Sequence, residues 1–126
     1  MKKQKTSKQS IHALILTPSR ELCSQATKNL HELMSYCQRE ISLVDLSSTQ
    51  MTMQTQKQIL ASKPDIIVST PTKILAHLKD EQQANQIGLK QTLEILVIDE
   101  ADLLLSFGYE EEMKLLVKYI YFYDCF

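Results

Sequence analysis

The chain has 126 residues, 44% hydrophobic and 23% charged, which suits one folded domain and excludes a disordered segment. Its formal net charge of -1 excludes a global pull on nucleic acid, so any RNA contact has to come from a local arrangement of donors and cations. No apolar run reaches the roughly 18 residues of a membrane span, and the polar start Met1 to Lys5 has no apolar stretch and cleavage site behind it. The chain therefore reads as neither secreted nor membrane-spanning.

Lys2, Lys3, Lys5 and Lys8 make residues 1–10 a basic tail, read as a solvated end. Ile11 to Leu16 (IHALIL) is an apolar run that stops at Thr17-Pro18-Ser19. Beyond it Leu22, Ala26, Leu30, Leu33, Met34 and Cys37 recur at helical spacing. This is a strand feeding a helix, with Thr17 as N-cap and Pro18 at the first helical position, or Ser19 as the cap instead. Cys23 and Cys37 fall on the apolar face of that helix, where a thiol behaves as a small hydrophobe. With Cys125 they are odd in number and lack CxxC spacing, so reduced thiols without disulfide partners or zinc are expected.

Ile41, Leu43 and Val44 suggest a second strand, and the Gln-rich stretch from Met51 to Ala61 a weak helix ended by Lys63-Pro64. Asp65 to Ser69 (DIIVS) is a third, β-branched strand. Thr70-Pro71 repeats the strand-to-helix punctuation, and Ile74, Leu75 and Leu78 give the next helix its apolar side. Lys79 to Gln91 is polar enough for a loop or a surface turn of helix. Leu93 to Ile98 (LEILVI) is a fourth strand running into Asp99-Glu100-Ala101-Asp102, with a helical turn from Ala101 to Leu105. Glu110, Glu111 and Glu112 then open a last helix and Lys114 and Lys118 lie toward its end, the charge order the helix dipole favours. Strand and helix alternate throughout, which predicts an α/β fold: a parallel sheet whose strands are covered on both faces by helices.

In such sheets ligands bind beyond the carboxyl ends of the strands, where three strands of this chain end in polar, cap-like or acidic sequence. Asp99, Glu100 and Asp102 at the lip of a buried strand could bind Mg²⁺ or orient an attacking water, or could simply open the helical turn that follows. His12, His31 and His77 share no metal spacing and receive no role.

LVIDEAD resembles motif II of the DEAD-box RNA helicases. Pro18-Ser19-Arg20-Glu21-Leu22 resembles their motif Ia, and Thr70-Pro71-Thr72-Lys73 their motif Ib, in the family's order. The resemblance covers roughly Ala13 to Val117. DIIVSTPTKILAHL and DEADLLLSFGYEEE are most similar to the nucleolar branch that assembles the large ribosomal subunit.

The resemblance implies a partial RecA-like lobe over residues 11–118, followed by a divergent aromatic tail, Tyr119 to Phe126. It implies ATP and Mg²⁺ as cofactors, with RNA and pre-ribosomal particles as partners in the nucleus or nucleolus. Asp99 would hold Mg²⁺ through water, with Glu100 beside it; Glu100 would activate the hydrolytic water; Asp102 would couple to motif III. Ser19, Arg20, Thr70, Thr72 and Lys73 would contact the RNA backbone, as helix N-termini and short polar side chains suit phosphates.

The departures from the family are physical ones. Thr72 stands for a Gly and Lys73 for an Arg, which weakens a close backbone approach and a bidentate phosphate contact. Ser47 and Ser48 stand near the place of a glycine pair. Gly88 and Gly108, the only glycines, are not part of GxxxxGK[ST], the loop whose amides and Lys cradle phosphates. In the family the Q motif would precede Lys2 and motif III would follow Tyr119. The chain alone is therefore expected neither to hydrolyse ATP nor to unwind RNA, and to leave an open sheet edge beside the motif II strand. A non-catalytic module that binds RNA or a partner protein is the alternative expectation.

Overall fold

The computed structural model describes residues 9–37 and 39–121, so the basic tail up to Lys8, Cys125 and the last five residues lie outside the described part. Four strands, β1 (Ala13–Leu16), β2 (Leu43–Asp45), β3 (Ile66–Ser69) and β4 (Ile95–Ile98), form one sheet in the order β2-β3-β1-β4. Every pairing is parallel, with Leu14 opposite both Ile67 and Leu96, and Val44 opposite Ile67. Parallel neighbours need crossover helices. The chain supplies α1 (Arg20–Met34), α2 (Met53–Ala61), α3 (Pro71–Leu78), α4 (Glu81–Ile87), α5 (Leu89–Thr92), α6 (Ala101–Ser106) and α7 (Glu110–Tyr121). Among the described residues no helix is long and apolar enough to cross a membrane.

Side chains alternate across the sheet, so paired residues share a face. Val44, Ile67, Leu14 and Leu96 face one core built with Leu60, Ile74, Leu78, Ile87, Leu89, Leu116 and Ile120. The opposite face carries α1, which lies over β2 and β3 and buries Cys23. Beyond α1 that face is bare: Ile95 is 54% and Val97 41% exposed. Coverage on both faces thus holds for β3 and fails for β4, whose second edge is unpaired among the described residues, in line with the open edge expected from the sequence.

Three local expectations are corrected. Thr17 does not cap α1. Its N–H still bonds Ser69 across the ladder, which keeps its backbone extended, and its side chain is buried 2.9 Å from Cys23 Sγ. Ser19 is the cap, accepting from the Leu22 N–H at 3.2 Å, so Pro18 precedes the helix. Cys37 lies past the last turn of α1 and is exposed, because the helix stops at Met34, and within the helix Leu33 is 64% exposed. Residues 81–92 are helix with buried Gln83, Ala84, Ile87 and Leu89, a structural layer where sequence suggested surface.

A buried hydrogen-bond relay explains that layer. His77, fully buried on α3, has Nδ1 2.9 Å from Gln83 Nε2 and Nε2 2.8 Å from Gln56 Oε1. Gln56 Nε2 in turn donates to the Leu46 carbonyl at 3.1 Å. These partners assign the tautomer with the proton on Nε2. Two glutamines that composition would place in solvent instead tie α2 and α4 to α3, and burial pushes the His77 pKa down.

Candidate functional site

The parallel sheet aims all four strand ends at one rim, and the site is built there. From β2 outward the rim presents Ser47, then Ser69-Thr70 after β3, then Ser19-Arg20 after β1, then Asp99-Glu100 after β4. Neighbouring strands sit about 4.8 Å apart, so the rim brings residues far apart in sequence within reach of one extended ligand.

Between the ends of β3 and β1 lies a cleft of about 440 Å³ lined by Ser19, Arg20, Thr70, Thr72 and Lys73, with Ser47 and Tyr109 beside them. All five residues predicted to touch RNA thus meet in one place. Two helix N-termini open onto it. Ser19 (φ -146, ψ 161) caps α1 and Thr70 (φ -80, ψ 156) caps α3, and both hold the extended backbone that ends a strand and starts a helix. The Thr70 side chain makes no capping hydrogen bond. Pro71 has no N–H, so the first turn of α3 presents the amides of Thr72 and Lys73. An exposed Arg20 and a half-buried Lys73 add positive charge.

A second cleft of about 610 Å³ continues past Arg20, Glu21 and Ser47 toward Ser48, Thr49 and Gln50. Here the Ser47 hydroxyl donates to Asp45 Oδ1 at 2.6 Å and its N–H to the same oxygen at 2.9 Å. The serine at the glycine pair's place is therefore tied to a carboxylate. Arg20 and Glu21 line both clefts, whereas Asp45 lines only this one and Lys73 only the other, so a phosphate chain is better received on the Lys73 side. Behind it Cys23 is sealed against Thr17, and burial raises its thiol pKa, consistent with core packing rather than reactivity.

The acids occupy the edge position of the rim. Asp99 is the last residue held by the ladder, its N–H bonding the Leu16 carbonyl at 2.9 Å. Glu100 then turns into the left-handed region (φ 56, ψ 52) before α6, a conformation costing of order 1–3 kcal/mol for a residue with a side chain. Such strain persists where it aims a functional group. Asp99, Glu100 and Asp102 are all exposed and lie outside the 440 Å³ cleft. The acidic end and the cationic cleft are neighbours on the rim and separate places.

Two carboxylates at one strand end fit a hard cation that keeps most of its waters and draws other ligands from phosphate. Among the described residues no three His, Cys, Asp or Glu side chains gather into a metal site. The residues do not fit a triphosphate. Gly88 (φ 70) closes α4 and Gly108 (φ 84) follows α6, so neither forms a cradle of amides, and no step through ATP is derived. His77, which the sequence left without a role, backs this site by fixing α3; the apolar residues Ile74, Leu75 and Leu78 around it in sequence were the only sign of burial.

The family profile described as DEAD/DEAH box helicase matches residues 1–124, extending past both ends of the 13–117 stretch that carried the motifs. "Probable ATP-dependent RNA helicase ddx56" of Dictyostelium discoideum is 38% identical over 120 residues, covering 95% of this chain and 17% of that protein. "ATP-dependent RNA helicase DBP9" of Debaryomyces hansenii is 38% identical over 115 residues, covering 91% of this chain and 19% of that protein. The yeast DEAD-box splicing factor Prp28 shares the fold, with a TM-score of 0.73 at 24% identity over 89% of this chain and 25% of that one. The chain thus spans less than a fifth of the length of these curated relatives. With its parallel sheet and a profile match over nearly its whole length, the chain belongs to the DEAD-box helicase family, a family of ATP-dependent RNA helicases.

Proposed function

We propose that residues 11–118 serve as part of the first RecA-like lobe of an ATP-dependent RNA helicase, receiving the RNA backbone between the N-termini of α1 and α3. The observation that carries this reading is the convergence of Ser19, Arg20, Thr70, Thr72 and Lys73 on one cleft at the strand ends. Helix N-termini, hydroxyls and cations bind phosphate without reading bases, so binding is indifferent to sequence. In the complete helicase Asp99 would carry Mg²⁺ through water with Glu100 beside it, Glu100 would act on the hydrolytic water, and Asp102 would couple hydrolysis to the rest of the lobe. ATP and Mg²⁺ are the cofactors the family implies. The likeness of the stretches DIIVSTPTKILAHL and DEADLLLSFGYEEE to the nucleolar branch supports work on pre-ribosomal RNA in the nucleolus, and the relatives named as ATP-dependent RNA helicases support the RNA. Without a phosphate-cradling loop this chain alone binds RNA and does not turn over ATP.

The test is anisotropy of a fluorescein-labelled single-stranded RNA titrated with the chain at rising salt. Arg20→Ala and Lys73→Ala should each weaken binding about ten- to a hundredfold, since a hydrogen bond to a charged group contributes roughly 1.5–3 kcal/mol. Each should also lower the salt slope by about 0.7. Parent-like affinity and slope in both variants would refute the cleft as the RNA site.

A further inference from the structure

Two walls of the RNA cleft are joined from behind by a buried glutamine. Gln56, on α2 and 2% exposed, accepts through Oε1 from His77 Nε2 on α3 at 2.8 Å, and its Nε2 donates to the Leu46 carbonyl at 3.1 Å. Leu46 immediately precedes Ser47, which lines the cleft together with Thr70, Thr72 and Lys73. One side chain therefore links the helix that carries Thr72 and Lys73 to the turn that carries Ser47. Further bonds of that turn are short-range: Ser47 to the Asp45 carboxylate, the Gln50 N–H to Ser48 Oγ at 3.3 Å and the Met51 N–H to the Ser48 carbonyl at 3.5 Å. Its place relative to α3 thus depends on Leu46, whose N–H bonds the Val68 carbonyl at 2.9 Å and whose carbonyl takes Gln56. An apolar side chain would fill this volume without desolvating an amide, so a glutamine here serves the bonds it makes.

We propose that Gln56 is a positioning residue for RNA: with His77 it fixes the spacing between the Ser47 turn and the first turn of α3, and so the shape the cleft offers to a phosphate chain. The assignment rests on the cleft being the RNA site. Gln56 does not itself line the cleft, which α2 reaches at Met53, its first residue. His77 has two arms, and they differ in consequence. The Gln56 arm leads to the Ser47 turn, whereas the Gln83 arm, at 2.9 Å, leads to α4, whose residues do not line the cleft. A network that only held the core together would make RNA affinity indifferent to which arm is cut. A positioning network makes it depend on the Gln56 arm.

Two substitutions at one position separate the arms. In His77→Gln the side-chain amide nitrogen takes the place of imidazole Nε2 and donates to Gln56; in His77→Asn the shorter amide reaches only the place of Nδ1, serves Gln83 and leaves Gln56 without its donor. Gln56→Met keeps the length of the side chain and removes both of its bonds. Each variant is titrated by anisotropy against fluorescein-labelled single-stranded RNA, and hydrogen exchange is followed in the peptides holding Ser47 and Lys73. His77→Asn and Gln56→Met should weaken RNA binding about fivefold and speed exchange around Ser47, while His77→Gln stays within about twofold of the parent, although both His77 variants melt earlier than it does. Equal losses of affinity in His77→Gln and His77→Asn overturn the proposal. So does parent-like binding by Gln56→Met while Arg20→Ala binds weakly, which leaves the cleft itself standing. Parent-like binding by Arg20→Ala as well refutes the cleft, and the proposal with it. Circular dichroism checks folding, and the His77 pair gives the answer should Gln56→Met unfold.

Discussion

The bare outer side of β4 makes a definite prediction about the isolated chain. One edge of β4 pairs with β1; the other is unpaired among the described residues, and the exposed Ile95 and Val97 project from the same face. Fully burying a Val or Ile contributes about 1.5–3 kcal/mol, so covering these half-exposed residues contributes roughly 1 kcal/mol each, and about 4 kcal/mol when two copies meet. Edge-to-edge backbone hydrogen bonds at about 1 kcal/mol apiece double that gross figure. The entropic cost of association, about 4 kcal/mol at its smallest, leaves about 4 kcal/mol, a dissociation constant of about 1 mM. Sedimentation velocity around that concentration should show concentration-dependent self-association. Val97→Lys should return the chain to a monomer, because a buried ammonium in the pair has no partner while in the monomer it reaches water. A monodisperse monomer with a sharp melt at about 3 mM, several-fold above that constant, or Val97→Lys associating as strongly as the parent, would refute the reasoning.

Three further outcomes follow in the Val97→Lys background. His77→Leu leaves Gln56 Oε1 and Gln83 Nε2 without partners and should cost about 2–4 kcal/mol, lowering Tm by roughly 8–15 °C in thermal melts. Because burial lowers the His77 pKa below its ordinary 6.5, the unfolded chain takes up the proton first; stability is full above pH 6.5 and falls as pH drops through the folded pKa. His77→Leu should flatten that part of the pH profile, and an unchanged profile would contradict the relay. Glu100→Gly should raise stability by about 1 kcal/mol in urea titrations by relieving the left-handed turn at φ 56. Phosphate release from ATP should stay at background for the chain, and Glu100→Gln should not change it; turnover sensitive to Glu100→Gln would show that a phosphate cradle exists after all.

Much of the architecture was legible because strands and helices punctuate each other so clearly. IHALIL before Thr17-Pro18-Ser19, and DIIVS before Thr70-Pro71, each switch from a short apolar run to helical spacing at a turn that must end a strand, and β1 and β3 followed. That switch also put Ser19 and Thr70 at helix starts, and parallel pairing then brought their cleft together. What was illegible depended on partners distant in sequence. Thr17 looked like a cap until its N–H was spoken for by Ser69. Gln56 and Gln83 looked solvated because nothing local shows that His77, from another helix, will meet both. Leu93 to Ile98 reads as a buried strand by composition, yet hydrophobicity cannot say which helix covers it, and α1 stops short. A hollow of about 360 Å³ lined by Leu75, Leu78, Lys90 and Leu115 is assembled from α3, α5 and α7, and no one of these elements shows it alone.

The central claim is that RNA lies in the cleft between the α1 and α3 N-termini. Photo-crosslinking a 4-thiouridine-substituted single-stranded RNA to the chain, followed by peptide mapping, tests it most directly. Crosslinks should fall on the peptides holding Pro18 to Glu21 and Thr70 to Lys73, and should fade with Arg20→Ala. Crosslinks confined to the basic residues before Ser10, or to Lys79 and Lys118, would contradict the account.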